Sequence, residues 1–170
     1  MGLIKNKLPA LIKRFISLHS ESVLVGVPAE KTARKTGTIN NATLAYIHDN
    51  GSPANNIPAR PFMRPGIDDA KEDVQNQLKI GASKVIKGDK SAMDVALNRV
   101  GLLTQASIQS KIDSGIAPEL KRSTLKSRAS KRPNRKGAKN ELQKHEEGNV
   151  VPLIDTGELR NSISYVIRGE

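Results

Sequence analysis

LAYIHDNGSPANNIPARPFMRPGI, residues 44–67, is the stretch that decides how the chain is organised. It carries four of the nine prolines and two of the four aromatic side chains, Tyr46 and Phe62. Proline fixes φ and favours an extended conformation in the residue before it. We therefore predict that a short helix, stopped at Gly51, runs into a rigid, non-helical strap. Residues 44–67 are called the proline segment below.

Apolar patterns on both sides of the proline segment predict an α+β fold. Residues 22–28 (SVLVGVP) and 162–168 (SISYVIR) are short and rich in β-branched residues, as strands are. Residues 67–87 and 91–113 carry apolar side chains at helical spacing. We expect a small antiparallel sheet, with strands near 22–28 and 162–168, packed against an N-terminal helix and two long helices. Residues 1–170 are expected to form a single domain.

The predicted N-terminal helix is amphipathic and cationic. Apolar residues recur at spacings of three and four between Leu3 and Ile16, with lysine and arginine between them. Packing on the core is the ordinary role of such a stripe, and binding to a membrane surface is the alternative. We expect no membrane partner, because no apolar run in the chain approaches the roughly 20 residues that a membrane span needs.

Basic residues are concentrated in one segment of the chain. The net charge is +11, and much of the excess lies between residues 121 and 144. Residues 119–150 contain few large apolar side chains, which predicts a long mobile loop, disordered or ordered only on assembly. The candidate contacts with a polyanion or a partner are Lys121, Arg122, Lys126, Arg128, Lys131, Arg132, Arg135, Lys136 and Lys139.

Three interpretations of this basic segment stay open. It could contact nucleic acid through phosphates, but it contains no phenylalanine, tyrosine or tryptophan on which bases could stack. It could instead dock on an acidic protein, or simply be solvated. We favour the last two over a DNA-binding role.

Candidate catalytic groups are few. Asp155-Thr156-Gly157 has the letters of the aspartic-protease motif, but that chemistry needs a second carboxylate, and a helix cap explains the same residues. His48-Asp49 is accompanied by no nucleophile or metal-ligand cluster in the sequence. The chain has no cysteine, and its three histidines are far apart. We therefore expect no enzyme activity, no catalytic or metal-binding residue and no cofactor.

Two blocks of sequence resemble a known family. Ala45-Tyr46-Ile47-His48-Asp49-Asn50-Gly51 with Ile57-Pro58-Ala59-Arg60-Pro61-Phe62-Met63-Arg64-Pro65 is similar to the signature Y-x-x-(F/N)-G-(T/S)…I-P-x-R-P-F-(L/M)-R-P. Thr124-Leu125 followed by residues 152–163 (PLIDTGELRNSI) resembles the ending of the same family. The family comprises tail-completion and neck proteins of tailed bacteriophages, also described as minor tail or virion morphogenesis proteins. The chain departs from it by one extra residue between Tyr46 and Gly51 and by the basic stretch between Leu125 and Pro152.

The resemblance implies a structural protein of the virion. Such a subunit would form a ring at the head–tail junction, where its partners are copies of itself, the connector or head-closure proteins, and the tail-tube or tail-terminator proteins. Non-specific contact with packaged DNA is also implied, and no catalysis. The residues expected at subunit or partner interfaces are Tyr46, Arg60, Pro61, Phe62, Arg64, Asp155 and Arg160, with Phe62 also expected to anchor in the core.

Overall fold

The computed structural model describes residues 21–34, 38–131 and 150–169, together with Pro9, Ile12 and Lys13. For residues 129–131 the description covers the backbone alone. Pro9, Ile12 and Lys13 are helical and exposed. The rest of the predicted N-terminal helix, including its packing against the sheet, lies outside the described residues.

Two antiparallel strands form the sheet in the described part of the chain. Strand β1 spans Glu21–Gly26 and strand β2 spans Ser164–Gly169, with a register that runs from Glu21 opposite Gly169 to Gly26 opposite Ser164. Val23 lies opposite Ile167 and Val25 opposite Tyr165, so apolar side chains pair across the strands. The predicted fold class is confirmed: a small antiparallel sheet packs against a long helix within a mixed fold.

Six α-helices lie within the described residues. Their bounds are α1 Asn41–Asn50, α2 Met63–Asp69, α3 Lys71–Lys87, α4 Ala92–Asp113, α5 Arg122–Lys131 and α6 Glu158–Ser162. Helices α3 and α4 are the two long helices that the sequence predicts. The first of them was predicted from residue 67, but α2 and α3 are separate helices that meet at Ala70.

Helix α4 is the centre of the fold. It contacts both strands on one side and α2 and α3 on others, so α3 packs on α4 rather than forming a second layer against the sheet. Close approach depends on glycines: a Cβ on Gly66 of α2 would meet the backbone of Ile108, and one on Gly101 would enter the ring of Tyr165. Small residues at these positions allow the backbones to approach directly.

One hydrophobic cluster joins distant parts of the sequence. Phe62, Ile108, Ile112 and Ile163 are fully buried. The cluster also contains the buried side chains of Ala45, Leu153 and Leu159. The proline segment, α4 and residues 153–163 therefore share one core, and the predicted core position of Phe62 is confirmed.

Part of the predicted basic loop is a helix. Residues 122–131 form α5, and Leu125 within it is fully buried. Arg128 donates from Nη2 to the carbonyl of Pro152 (2.9 Å) and from Nη1 to that of Ile154 (3.2 Å). The prediction of a loop across the whole of 119–150 is therefore wrong for residues 122–131. The buried side chain of Leu125 and the guanidinium of Arg128 hold this helix against another part of the chain. Residues 132–149 lie outside the described residues.

Candidate functional site: the proline segment and its cleft

The proline segment begins in α1, whose ends are clearly marked. The side chain of Asn40 accepts a hydrogen bond from the N–H of Thr43 (2.7 Å), so Asn40 is the N-cap. Asn41 is buried and donates from Nδ2 to the carbonyls of Lys31 and Ala33. Gly51 ends the helix with φ of 79°, a value that glycine adopts at little cost.

Residues 52–57 form a closed turn after α1. The N–H of Ser52 donates to the carbonyl of Ile57 (2.8 Å), and the N–H of Ile57 donates to that of Ser52 (3.0 Å). Between them, Pro53–Asn55 form one turn of 3-10 helix and Asn56 has a left-handed conformation with φ of 52°. The N–H of Arg60 then donates to the carbonyl of His48 (2.7 Å). Pro58 and Pro61 thus lie in a non-helical structure, as the sequence predicts. The prediction is wrong for Pro53, which begins the 3-10 turn, and for Pro65, which lies within α2.

Arg60 lies inside the fold. Its side chain is 4% exposed, and its guanidinium donates from Nε to the carbonyl of Pro118 (2.7 Å) and from Nη2 to that of Glu119 (3.1 Å). Arg60 therefore holds the chain that follows α4 against the proline segment. Its described hydrogen bonds serve the fold, and a direct role at an interface stays a prediction.

Asp49 connects the end of α1 to the start of α2. Its Oδ1 atom accepts hydrogen bonds from the N–H groups of Phe62 (2.7 Å) and Met63 (3.0 Å). A carboxylate at a helix N-terminus satisfies unpaired N–H groups and complements the helix dipole. Asp49 thus caps α2 from another helix, a role that spacing along the sequence does not reveal.

Other predicted interface residues of the proline segment face the solvent. Tyr46 is 69% exposed, and Pro61 and Arg64 are also exposed. Unlike Arg60 and Phe62, these side chains are accessible to a partner. Tyr46 is notable among them, because large exposed aromatic side chains are enriched at protein interfaces.

The C-terminal block is held on α4 by an ion pair. Arg160 forms a bidentate pair with Asp113, with Nε–Oδ1 of 2.7 Å and Nη2–Oδ2 of 2.8 Å. The hydrogen bond to Asp113 raises the pKa of Arg160. Asp155 is exposed in the bend before α6. The predicted cap at Asp155 is wrong, because Gly157 with φ of 78° occupies the N-cap position, two residues further on.

A cleft of about 780 Å³ lies behind the proline segment. It is bounded by the proline segment, by residues 118–121, by α5 and by Pro152. His48 lines both this cleft and a smaller cavity of about 170 Å³ that reaches Arg34 and Glu158. Burial, reinforced by the charges of Arg60, Arg128 and Arg34, lowers the pKa of His48 below its usual 6.5.

The structure describes the side chains of four of the nine predicted polyanion contacts. Lys121, Arg122 and Lys126 are exposed, whereas Arg128 is half-buried and bonded to carbonyls. Lys131 ends α5, and its side chain is not among the described atoms. Arg132, Arg135, Lys136 and Lys139 lie outside the described residues.

The described part of the chain contains neither a membrane-spanning helix nor a cluster of metal-ligating side chains. Its helices lack the combination of length and apolarity that a bilayer span needs. Within the same residues, no group of three or more histidine, aspartate or glutamate side chains could hold a metal ion. Comparisons with protein-family models, curated proteins and solved structures gave no match.

Sequence reasoning missed the residues that shape the cleft. It placed His48 and Asp49 at a surface helix end in preference to an acid–base pair, whereas Asp49 caps α2 and His48 lies between two cavities. It also assigned Arg128 to a mobile loop. The sequence contains one indication of the helix that Arg128 belongs to. Leu125 is a large apolar residue in a polar segment, and such a residue can pack against another part of the fold.

Proposed function

We propose that the chain is a structural virion protein at the head–tail junction of a tailed bacteriophage. It acts as a neck or tail-completion subunit and forms a ring that joins the connector to the tail. Its partners are other copies of itself, the connector or head-closure proteins, and the tail-tube or tail-terminator proteins. The proposal assigns the protein to the virion, gives it no enzymatic step, and allows non-specific contact with packaged DNA.

One observation carries this proposal: the two blocks that resemble the family meet in a single core. Phe62 from the first block is buried in the same cluster as Leu153, Leu159 and Ile163 from the second. Between the end of the first block at Pro65 and residues 152–163 of the second lie 86 residues. Their joint packing supports the view that they form one structural unit rather than two accidental matches.

The surface of this unit suits a fixed contact with a partner. The hydrogen bonds of residues 52–60 hold the proline segment in one conformation, and Tyr46, Pro61 and Arg64 are exposed on or beside it. A preorganised surface loses little conformational entropy on association. That property favours an assembly component that must bind in one geometry.

Genetic complementation tests the proposal. Deleting the gene from its phage should leave filled heads and complete tails that do not join, and supplying the wild-type chain should restore infectious particles. The variants Tyr46→Ala and Arg64→Glu should restore fewer particles than wild type, whereas Lys79→Glu, on an exposed position of α3, should complement fully. Normal joining in the deletion strain would overturn the proposal.

A basic nucleic-acid-binding protein acting through residues 121–144 is the second candidate. The exposure of Lys121, Arg122 and Lys126 favours it. If about six cations contact phosphates, the log–log salt slope of binding should be roughly −5. A flat salt dependence, or binding that survives deletion of the segment, would remove this candidate.

A further inference from the structure

The cleft behind the proline segment has rigid, largely apolar walls. Its lining includes four prolines at positions 53, 58, 118 and 152, together with Ile57 and Leu120. Proline restricts the backbone, and the turn at residues 52–57 is closed by two backbone hydrogen bonds. The cleft therefore has the character of a preformed groove, which a ligand can enter without first ordering its walls.

The described lining of the cleft also carries more positive than negative charge. Arg60, Lys121 and Arg128 line it, and Glu119 is the one carboxylate among the described residues that bound it. The hydrogen bonds of Arg60 and Arg128 to other described residues all end on backbone carbonyls. A carbonyl accepts a hydrogen bond but does not neutralise a guanidinium, so these two charges favour an anion close by.

We propose that this cleft binds an acidic peptide segment of a partner protein, with a carboxylate held by Arg128 and Lys121 and attracted by the charge of the buried Arg60, and with its neighbouring residues packed against the proline walls. The inference stands apart from the proposed place in the virion. An acidic docking segment on any protein partner would satisfy it, whether or not the chain joins heads to tails.

The lining favours a peptide over a nucleic acid. Single-stranded nucleic acids are usually held by phenylalanine, tyrosine or tryptophan side chains that stack on the bases, and the described residues that line the cleft include none of these. The arginines are partly or fully buried rather than arranged on an open surface that could follow a phosphate backbone. A carboxylate on a flexible side chain can reach such groups while its main chain stays in the groove.

His48 provides a spectroscopic reporter of occupancy. It lines the cleft, and its Nδ1 atom is buried with no hydrogen-bond partner among the described residues. Burial is the main cause of its lowered pKa, and the charges of Arg60 and Arg128 add to it. A bound acidic peptide would change both the burial of the imidazole and the charge around it, so the His48 signals should shift when the cleft is filled.

The test uses a blocked hexaglutamate peptide as the probe and a blocked hexaglutamine peptide as its uncharged control. Calorimetric titration into the full chain should give saturable binding of hexaglutamate and at least tenfold weaker binding of hexaglutamine. The imidazole signals of His48, assigned with a His48→Gln variant, should shift along the same binding curve. Equal affinity for the two peptides, or unchanged His48 signals at saturation, would overturn the proposal.

Charge-reversal variants distinguish peptide binding in the cleft from general electrostatic attraction to the protein surface. Lys121→Glu should weaken hexaglutamate binding about tenfold or more, because it replaces an attraction with a repulsion at the mouth of the cleft. Lys90→Glu, in the exposed turn between α3 and α4, changes the net charge equally and should leave affinity within about twofold. Equal losses in both variants would contradict a localised site.

Two further probes distinguish the class of ligand. Inorganic phosphate should bind more weakly than hexaglutamate, since it makes no contact with the apolar walls. Short oligothymidylate should not shift the His48 signals. If oligothymidylate competes with the peptide and binds more tightly, the cleft is a nucleic-acid site and the proposal is wrong.

Discussion

The carboxylate of Asp49 accepts a 2.7 Å hydrogen bond from the backbone N–H of Phe62. This bond links the last turn of α1 to Phe62, whose side chain is buried in the core. The closed turn of residues 52–57 lies between the two residues. Arg60 adds a second connection, because its N–H donates to the carbonyl of His48. Together these bonds fix the position of Phe62 relative to α1, and they explain how a proline-rich stretch contributes to the core.

Replacing Asp49 should destabilise the fold. Asp49→Ala removes the acceptor for the N–H groups of Phe62 and Met63, and we expect a loss of about 1–2 kcal/mol in the free energy of unfolding. Urea unfolding followed by circular dichroism measures this change. Asp68→Ala, at an exposed position of α2, is the control and should change stability by less than about 0.5 kcal/mol. Equal effects would mean that the cap contributes little.

Arg60 and Arg64 should respond differently to substitution, although they lie four residues apart. Arg60→Ala removes two charge-assisted hydrogen bonds to carbonyls, and we expect a loss of roughly 2–3 kcal/mol. Arg60→Lys should restore little of it, because an ammonium cannot reproduce the fork of a guanidinium. Arg64→Ala, at an exposed position, should lie within about 0.5 kcal/mol of wild type. The urea midpoints of the three variants test the contrast, and a stable Arg60→Ala protein would contradict it.

Gly101 should tolerate no side chain while Tyr165 is present. A Cβ at this position would overlap the ring of Tyr165, so Gly101→Ala should destabilise the protein by about 1–3 kcal/mol or more. Removing the ring makes room, and the double variant Gly101→Ala/Tyr165→Val should therefore lose less than the sum of the two single losses. Gly26→Ala is the control, since its Cβ would meet its nearest atom at an ordinary 3.8 Å. Simple additivity would contradict the packing of β2 on α4.

Stability should depend on pH through His48. Its pKa is lowered in the folded state, so the unfolded chain binds more protons as the pH falls below 6.5, and stability should decrease there. At pH values above the pKa of His48 in the unfolded chain, the imidazole is neutral in both the folded and the unfolded state. The stabilising contribution of the neutral imidazole is then fully present. The charged residues around His48 that enter this balance are Arg34, Arg60, Arg128, Glu119, Lys121, Asp155 and Glu158.

The difference between wild type and His48→Gln isolates this effect. Urea unfolding of both proteins between about pH 5 and pH 8 should give curves that run parallel above pH 7 and diverge below 6.5, with wild type losing more stability. A nuclear magnetic resonance titration of the imidazole should give the lowered pKa directly. Curves that stay parallel across the whole range would show that His48 is not held neutral by its surroundings.

The elements that sequence predicts best are those whose signal is local. Strands β1 and β2 and helices α3 and α4 follow from β-branched runs and helical spacing within each segment. Helix α5 is different, because its stability depends on the burial of Leu125 and on carbonyls about 25 residues further along the chain. Local composition cannot report a partner of that kind.

The candidate site was predictable in part for the same reason. Phe62 is the one large aromatic between two arginines, and its burial could be predicted from the sequence. The separate fates of Arg60 and Arg64 could not, because each directly precedes a proline in the sequence, and only the fold brings Arg60 rather than Arg64 to the carbonyls of residues 118–119. The cap at Asp49 likewise depends on a turn whose closure is a property of the folded backbone.

The central claim is that the chain joins heads to tails, and its most direct test is assembly in vitro. Purified protein would be mixed with heads and tails purified from the phage that encodes it, then examined by negative-stain electron microscopy and native mass spectrometry. The account predicts a ring of subunits bound at the connector or at the end of the tail. A protein that never associates with either structure would contradict it.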